Sequence, residues 1–485
     1  MILFFALFLT FISGCFVAGS ALHDPDTCWQ LALGKLIFES SEIMRIDPFS
    51  YTFSAIGAGH DFVMYQWLSN LIFYLTYKDA GLFGLLLLAA EIIVFSFIVL
   101  PLIRAQSRTL LDWDVLLVVV IGTLTASFHF LVRPEIWSYL FLAVCVVIAC
   151  RIERSNKNKA RIDWRAIAAV FLTMLFWCNL HSGFVLGLLL FVIQAVCELA
   201  INRRLKPTVA LALGAGLIAS LINPYGIQLW SYLPHLFFPL FNKYIVEIKP
   251  LGLTDLTTLT FVPYVLLSLI TLYRISRLIQ FQDIKSLCFP IATALICIGA
   301  GIASRRLVPF SAIVQTMFMI ELLQTTRAPK RPLRMHVIAM ALLMAASVIA
   351  GVYWISTFKT IDIAIPQSSI VFHSPTKAIE HLKTSLPEGN LLNDPQFGDV
   401  MIWHMSPCPK LFIDTRFDMY GWQIVEDYHQ MSECKGNFQT KLADYNIRWI
   451  FMRPQQKLVS YLRQSPNWKT VYEDDTAVVL ARQTN

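Results

Sequence analysis

Apolar residues run along this chain in long blocks separated by short polar turns. A helix needs about 20 such residues to cross a membrane core. Blocks near 2–21, 81–103, 114–131, 136–151, 166–180, 183–201, 208–222, 257–273, 287–303, 307–324 and 336–356 meet or approach that length and predict eleven transmembrane helices. One further apolar stretch, 64–78 (MYQWLSNLIFYLTYK), would reach only about 22 Å as a helix, against a core roughly 30 Å thick. It is expected to lie flat, or to dip in and return. From about 357 the pattern turns polar. Strands are predicted near 389–393, 410–414, 447–452, 468–473 and 476–481, with helices near 397–404, 422–431, 437–445 and 456–464. Such alternation predicts a small α/β domain. The sequence thus divides into a membrane domain over 1–356, with a first outer loop and juxtamembrane helices at 23–80, and an extracytoplasmic α/β domain over 357–485.

Charge sets the expected orientation. The loops RAQSR, RIERSNKNKARIDWR, NRRLK, RISRLIQFQDIK and RAPKRPLRMH together hold 18 Lys and Arg. Basic loops stay on the cytoplasmic side. All five fall there only if 64–78 does not span. The N-terminus is then cytoplasmic and the C-terminal domain outside. Residues 1–21 resemble a signal peptide, and ISGC resembles a lipoprotein cleavage box ending at Cys15. No Lys or Arg precedes the apolar run, however, as a signal sequence requires, so a retained first helix is the better reading.

Composition agrees with a polytopic membrane protein. Of 485 residues, 56% are hydrophobic and 15% charged, and the mean hydropathy is +0.59; a soluble domain carries about 25% charged residues. The net charge of +7 is modest, and nothing points to nucleic acid. The ten cysteines form no CxxC or Cys/His cluster, which argues against a zinc site. Cys408 and Cys434 share the outer domain and could pair in an oxidising compartment, or remain thiols.

The candidate chemistry gathers at the predicted outer ends of the apolar blocks. The first outer loop supplies Asp24, Asp26, Arg45, Asp47, His60 and Asp61. LVRPEI supplies Arg133 and Glu135, WCNLHSGF supplies Asn179 and His181, and ASRRLVP supplies Arg305 and Arg306. Charges at membrane depth are costly and usually functional. Arginine in short outer turns runs against the positive-inside bias, and its planar fork suits phosphate. Each residue also has a plainer role open to it. Arg133 and Glu135 could pair with each other or cap helix ends. Arg305 and Arg306 could reach lipid headgroups. Asn179 and His181 could satisfy backbone groups at a helix break. NPYG at 223–226 is a good turn sequence. Asp24 could cap a helix begun by Pro25. In the C-terminal domain, DTRFD puts Asp414, Arg416 and Asp418 on one face if extended. An internal ion pair is the favoured reading there, and a role in holding an acceptor the sharper one.

Taken in order, DPDTCWQLALGKLI, IDPFSYTF, QWLSNLIFYL, RPEIWSYL, NLHSGF, NPYG and SRRLVPF resemble bacterial proteins of the glycosyltransferase C superfamily. That superfamily includes oligosaccharyltransferases, protein mannosyltransferases and aminoarabinose transferases. The segment FGDVMIWHMSPCPKLFIDTRFDMYG…YEDDTAVVLAR resembles the tail domain of the same bacterial group. The resemblance implies an inverting hexosyl- or pentosyltransferase. It would move a sugar from a polyprenyl-phosphate carrier to an envelope glycan, lipid or protein on the outer face of the inner membrane. Asp24 or Asp26 would be the catalytic base. Arg133, Glu135, Asn179, His181, Arg305 and Arg306 would meet the lipid phosphate or substrate, and a divalent metal, Mg or Mn, could share that task. One departure stands out. Relatives carry a His-Glu pair where this chain has Tyr65 and Gln66, and Gln is neither a carboxylate base nor a strong metal ligand; His60 and Asp61 lie nearby. The rival expectation is a non-catalytic membrane protein that binds or moves a lipid-linked glycan.

Overall fold

The structure, a computed structural model, describes residues 24–53, 62–104, 113–158, 162–236, 243–258, 260–281, 287–325 and 374–483. The chain packs as two compact units. One holds Met1–Ala21, Phe83–Gly226 and Asn242–Ile361; the other holds Leu22–Leu82, Ile227–Phe241 and Asp362–Asn485. The second unit therefore joins residues 22–82 to the C-terminal part of the chain.

The elements follow the hydropathy pattern. The helices are α1 (Asp26–Ser40), α2 (Trp67–Val94), α3 (Leu100–Arg104), α4 (Trp113–Ala126), α5 (Glu135–Asn158), α6 (Trp164–Leu180), α7 (Phe184–Asn202), α8 (Pro207–Ser220), α9 (Ile227–Leu236), α10 (Val262–Phe281), α11 (Cys288–Ala303) and α12 (Val308–Thr325). The C-terminal part adds α13 (Thr376–Thr384), β1 (Asn390–Asn393), α14 (Pro395–His404), α15 (Phe417–Ser432), α16 (Phe438–Asp444), β2 (Ile447–Met452), α17 (Lys457–Arg463), β3 (Trp468–Glu473) and β4 (Val478–Arg482).

Among the described residues of the first unit, five apolar stretches are long enough to cross a membrane: Gly84–Leu102, Glu135–Arg154, Phe184–Asn202, Val262–Ile279 and Arg305–Leu323. Four shorter apolar helices cover Asp114–His129, Trp164–Leu180, Pro207–Ser220 and Cys288–Ala303. These coincide with nine of the eleven predicted blocks. The blocks at 2–21 and 336–356 lie outside the described residues. The chain is a multi-pass membrane protein. A run of π-helix at Phe95–Val99 joins α2 to α3. Helix α8 opens with Pro207 at its first turn, where the missing N–H costs no hydrogen bond. Asp163 caps α6 by accepting from the Ala166 N–H.

The stretch 64–78 forms the start of α2, and the helix breaks at Gly81, whose φ of 61° and ψ of −159° interrupt the helical path. Only glycine adopts such a conformation without steric cost. The break separates the 67–80 segment from the long apolar run that follows. In the second unit, α1 lies against that segment at Gly34, where an added Cβ would come within 2.1 Å of the Asn70 carbonyl oxygen.

The C-terminal part of the second unit is built on a four-stranded mixed sheet of order β1-β2-β4-β3. β1 pairs parallel with β2, and β4 pairs antiparallel with both β2 and β3. Leu392, Ile450, Phe451, Val478 and Val479 are fully buried, as a sheet covered by helices requires. The helix α14 has Pro395 in its first turn, and Asp394 caps it by accepting from the Gln396 and Phe397 N–H groups. The predicted strand at 410–414 is a correction. Leu411 makes only a bridge with Ser50, donating its N–H to the Phe49 carbonyl and accepting from Tyr51 N–H. Its partner lies some 360 residues away in sequence, so local pattern read the segment as extended without revealing what it pairs with. The DTRFD segment also departs from expectation: helix begins at Phe417, so Asp418 leaves the extended face shared by Asp414 and Arg416.

Candidate functional site

In the second unit, Pro25 has helical dihedrals (φ −67°, ψ −21°) just ahead of α1, and the Asp24 carboxylate accepts the Asp26 N–H at 3.2 Å. Asp24 therefore supports the start of the helix, as the plainer reading held. Asp26 is different. Its carboxylate accepts from the Thr415 hydroxyl at 2.6 Å. The same hydroxyl lies 2.9 Å from Asp399, and the Thr415 N–H donates to the other Asp399 oxygen at 3.2 Å. Asp399 is completely buried. Burial, with the Asp26 and Asp414 carboxylates close by, pushes its carboxyl well above the usual carboxylate range despite the Thr415 hydrogen bonds.

Next to this group sits Arg416, only 6% exposed. It forks onto Asp414 through Nε (2.9 Å) and Nη2 (2.6 Å), and donates from Nη1 to Asp47 at 2.7 Å. Tyr420 donates to Asp414 at 2.8 Å. Burial alone would ease loss of the Arg416 proton, but the two carboxylates overcome it and hold the guanidinium charged. The ion pair expected for Asp414 and Arg416 is present, with Asp47 from the segment that follows α1 as its third member. Asp418 instead accepts from the Tyr232 hydroxyl at 2.7 Å. A small cavity of about 40 Å³ is lined by Trp29, Tyr65, Gln66, Tyr232, Arg416 and Asp418. It has room for a few water molecules.

The first unit holds the arginines, and each has a carboxylate partner. Arg306 pairs with Glu135. Arg133 pairs with Glu247 at 3.3 Å, and Arg305 with Asp255 at 2.6 Å. Arg133 and Glu135, neighbours in sequence, therefore take partners from distant loops rather than each other. His129 lies between two carboxylates, with Nδ1 3.2 Å from Glu135 and Nε2 3.6 Å from Glu247. The Tyr139 hydroxyl is 3.0 Å from His129 Nδ1. Two guanidiniums, two carboxylates and an imidazole thus share one patch at the start of α5. Sequence reasoning passed over His129, because it sits inside an apolar run, and over Glu247 and Asp255, because nothing local marks them as partners.

Asn179 and His181 serve the break between α6 and α7. Asn179 Nδ2 donates to the Leu175 carbonyl at 2.8 Å and to the Ile222 carbonyl at 2.9 Å. His181 Nδ1 accepts the Gly183 N–H at 3.1 Å and lies 2.7 Å from the Ser138 hydroxyl, which accepts from Trp177 Nε1. NPYG forms a turn in which the Asn223 side chain accepts the Tyr225 N–H, and Gly226 takes a φ of 54°. His60 and Asp61 lie outside the described residues. Cys408 and Cys434 are both free thiols. Among the described residues no three His, Cys, Asp or Glu side chains converge to hold a metal ion. Nothing among the described residues supports the divalent cation considered from sequence.

No protein-family model and no curated protein matches the chain. Solved structures do. An oligosaccharyltransferase from Archaeoglobus fulgidus, tethered to an acceptor peptide containing the NVT sequon, aligns over 99% of this chain and 74% of its own, with a TM-score of 0.55 and 12% identity. ArnT from Cupriavidus metallidurans, bound to undecaprenyl phosphate, aligns over 99% of this chain and 97% of its own, with a TM-score of 0.56 and 13% identity. Both are glycosyltransferase C superfamily proteins. Identity this low speaks to architecture alone, and on that ground the chain has the glycosyltransferase C fold.

Proposed function

We propose that this protein is a membrane glycosyltransferase that moves a sugar from a polyprenyl-phosphate carrier to an envelope glycan, lipid or protein on the outer face of the inner membrane. The observation that carries the reading is the Asp24-Pro25-Asp26 helix start, with an Asp26 carboxylate fixed by the Thr415 hydroxyl, in a chain with the glycosyltransferase C fold. The ArnT structure, bound to undecaprenyl phosphate, supports a lipid-linked donor, and the peptide-tethered oligosaccharyltransferase supports a separate acceptor.

The reaction is an inverting displacement. Asp26, or Asp24, takes the proton of the acceptor hydroxyl or amide as that atom bonds to the anomeric carbon. The bond from the anomeric carbon to the phosphate oxygen breaks, and the lipid phosphate leaves carrying the electron pair. Within the first unit, taken by itself, Arg133 and Arg306 are the candidates to meet a lipid phosphate, because a guanidinium fork suits phosphate oxygens. They stand in existing ion pairs, so phosphate binding exchanges with Glu247 and Glu135 rather than filling an empty cation site. His181 and Asn179 hold the neighbouring helix break, and Arg305 with Asp255 holds the adjoining turn.

A non-catalytic role in binding or moving a lipid-linked glycan is the second reading. One observation favours it, that the arginines are already compensated by carboxylates; the resemblance adds that Gln66 stands where a glutamate is expected. Mass spectrometry of envelope glycans and lipid-linked sugars tests the first reading. A strain lacking the protein should lose one sugar mass from an envelope component and accumulate the matching lipid-linked sugar. An unchanged profile in both pools would contradict it.

A further inference from the structure

Thr415 Oγ1 carries one hydrogen, yet it lies within bonding distance of two carboxyl groups: 2.6 Å from Asp26 and 2.9 Å from Asp399. Two carboxylate anions could share that hydrogen only in a weakened three-centre bond, with their like charges repelling. A proton on one of them, donated to the threonine oxygen, removes both costs. The surroundings decide which. Asp399 is fully buried, and its hydrogen bonds come from Thr415 alone. The nearby guanidinium of Arg416 is taken up by Asp414 and Asp47. Asp26 is only half-buried, at the first turn of α1, where the helix dipole favours negative charge. The shorter contact, to Asp26, has the length of a bond to an anion, and the longer one that of a neutral pair.

We propose that Asp399 and Thr415 form a buried hydrogen-bond relay behind Asp26, in which Asp399 is a neutral acid donating to Thr415 Oγ1 and Thr415 donates to an ionised Asp26. The proton stays on Asp399, which is a positioning residue. Its partner oxygens fix the direction of the Thr415 hydroxyl, and that hydroxyl fixes one oxygen of Asp26. The relay leaves a single negative charge where two aspartates meet, and places it on Asp26. The functional consequence rests on the reading of Asp26 as the base, and it favours Asp26 over Asp24 in that role.

The titratable groups that face Asp399 among the described residues are Asp26 and Cys28 at α1 and Asp414 on the following segment. Burial and the nearby carboxylates push the Cys28 thiol up, so it stays neutral and does not compete for the role. The carboxyl of Asp399 is raised in the folded protein relative to the unfolded chain. Its contribution to stability is complete below the unfolded carboxyl value and is lost progressively as pH rises toward the folded one. An amide at position 399 reproduces the neutral acid: its oxygen accepts the Thr415 N–H and its NH₂ donates to Oγ1.

The test uses the full-length protein purified in detergent. Infrared spectra of the wild type at neutral pH should contain the band of a protonated carboxyl, and Asp399→Asn should remove it. Thermal unfolding should show Asp399→Asn gaining on the wild type as pH rises from mildly acidic to mildly basic. In Asp26→Asn the band should titrate at lower pH than in the wild type, because a neighbouring charge has gone. A protonated-carboxyl band that survives in Asp399→Asn, or an Asp399→Asn variant that loses stability against the wild type as pH rises, would overturn the relay. A strain carrying Thr415→Val should accumulate the lipid-linked sugar and one carrying Thr415→Ser should not. The infrared and thermal results do not depend on transfer activity. If they hold while Asp26→Asn restores a native sugar profile, the relay stands and the reading of Asp26 as the base is what fails.

Discussion

At the scale of single residues, the second unit is held by a guanidinium that few substitutions could replace. Arg416 makes hydrogen bonds to two fully buried carboxylates, Asp414 and Asp47, in a forked geometry that a lysine ammonium cannot match. Removing one member of a buried pair leaves the others charged and unpaired, at a cost of about 3–5 kcal/mol. Arg416→Ala should therefore lower thermal stability sharply, and Arg416→Lys should fall between it and the wild type. Unfolding of the purified variants checks the order; a lysine variant equal to the wild type would show that charge alone suffices. The same residues mark how far the sequence could be read. An Asp414–Arg416 pair was legible because the two stand two positions apart. Asp47 was not, since its partner lies 369 positions away. Asp399 carried no signal at all: buried and exposed aspartates look alike in a sequence, and only packing distinguishes them.

At the scale of elements, the hydropathy pattern located nine apolar helices because membrane helices must satisfy their backbone internally and present apolar side chains outward. The stretch expected not to span, 64–78, runs into α2 at Trp67, and the chain leaves the helical path at Gly81 shortly after it. The pattern was weakest where an element depends on a distant partner, as at 410–414, or where helix starts inside a charged segment, as at Phe417. The contact between α1 and α2 depends on the absence of a side chain at Gly34. A Cβ there would meet backbone, 2.1 Å from the Asn70 oxygen and 2.7 Å from its carbon, rather than the end of a flexible side chain. Gly34→Ala must move one helix, which costs on the order of 1–3 kcal/mol. The expected result is a lower melting temperature than for an alanine placed at Gly214, where an added Cβ meets nothing within 4 Å. Equal effects at the two positions would mean that α1 and α2 are not held this closely.

At the scale of the whole molecule, the fold was legible from the order of short motifs along the chain, and the structural likeness to two glycosyltransferase C proteins agrees with it. Residue roles were less legible, because the arginines that suggested an anionic ligand are each compensated by a carboxylate from another segment. For orientation, charge gives an expectation: the positive-inside bias would put the five loops with 18 Lys and Arg together on the cytoplasmic side. In cells carrying Cys434→Ser as background, Lys435→Cys should react with a membrane-impermeant thiol reagent added outside the inner membrane. Arg203→Cys should react only after that membrane is opened. The reverse pattern would invert the topology and move the proposed chemistry to the wrong side.

The measurement that bears most directly on the central claim is the profile of lipid-linked and envelope sugars in the deletion strain complemented with Asp26→Asn at matched protein level, beside Asp24→Asn and the wild type. The account predicts that Asp26→Asn leaves the lipid-linked sugar accumulated and the envelope sugar missing, as in the deletion itself. If both asparagine variants restore the native profile, neither carboxylate is the base, and a protein that binds or moves the glycan without transferring it becomes the better description.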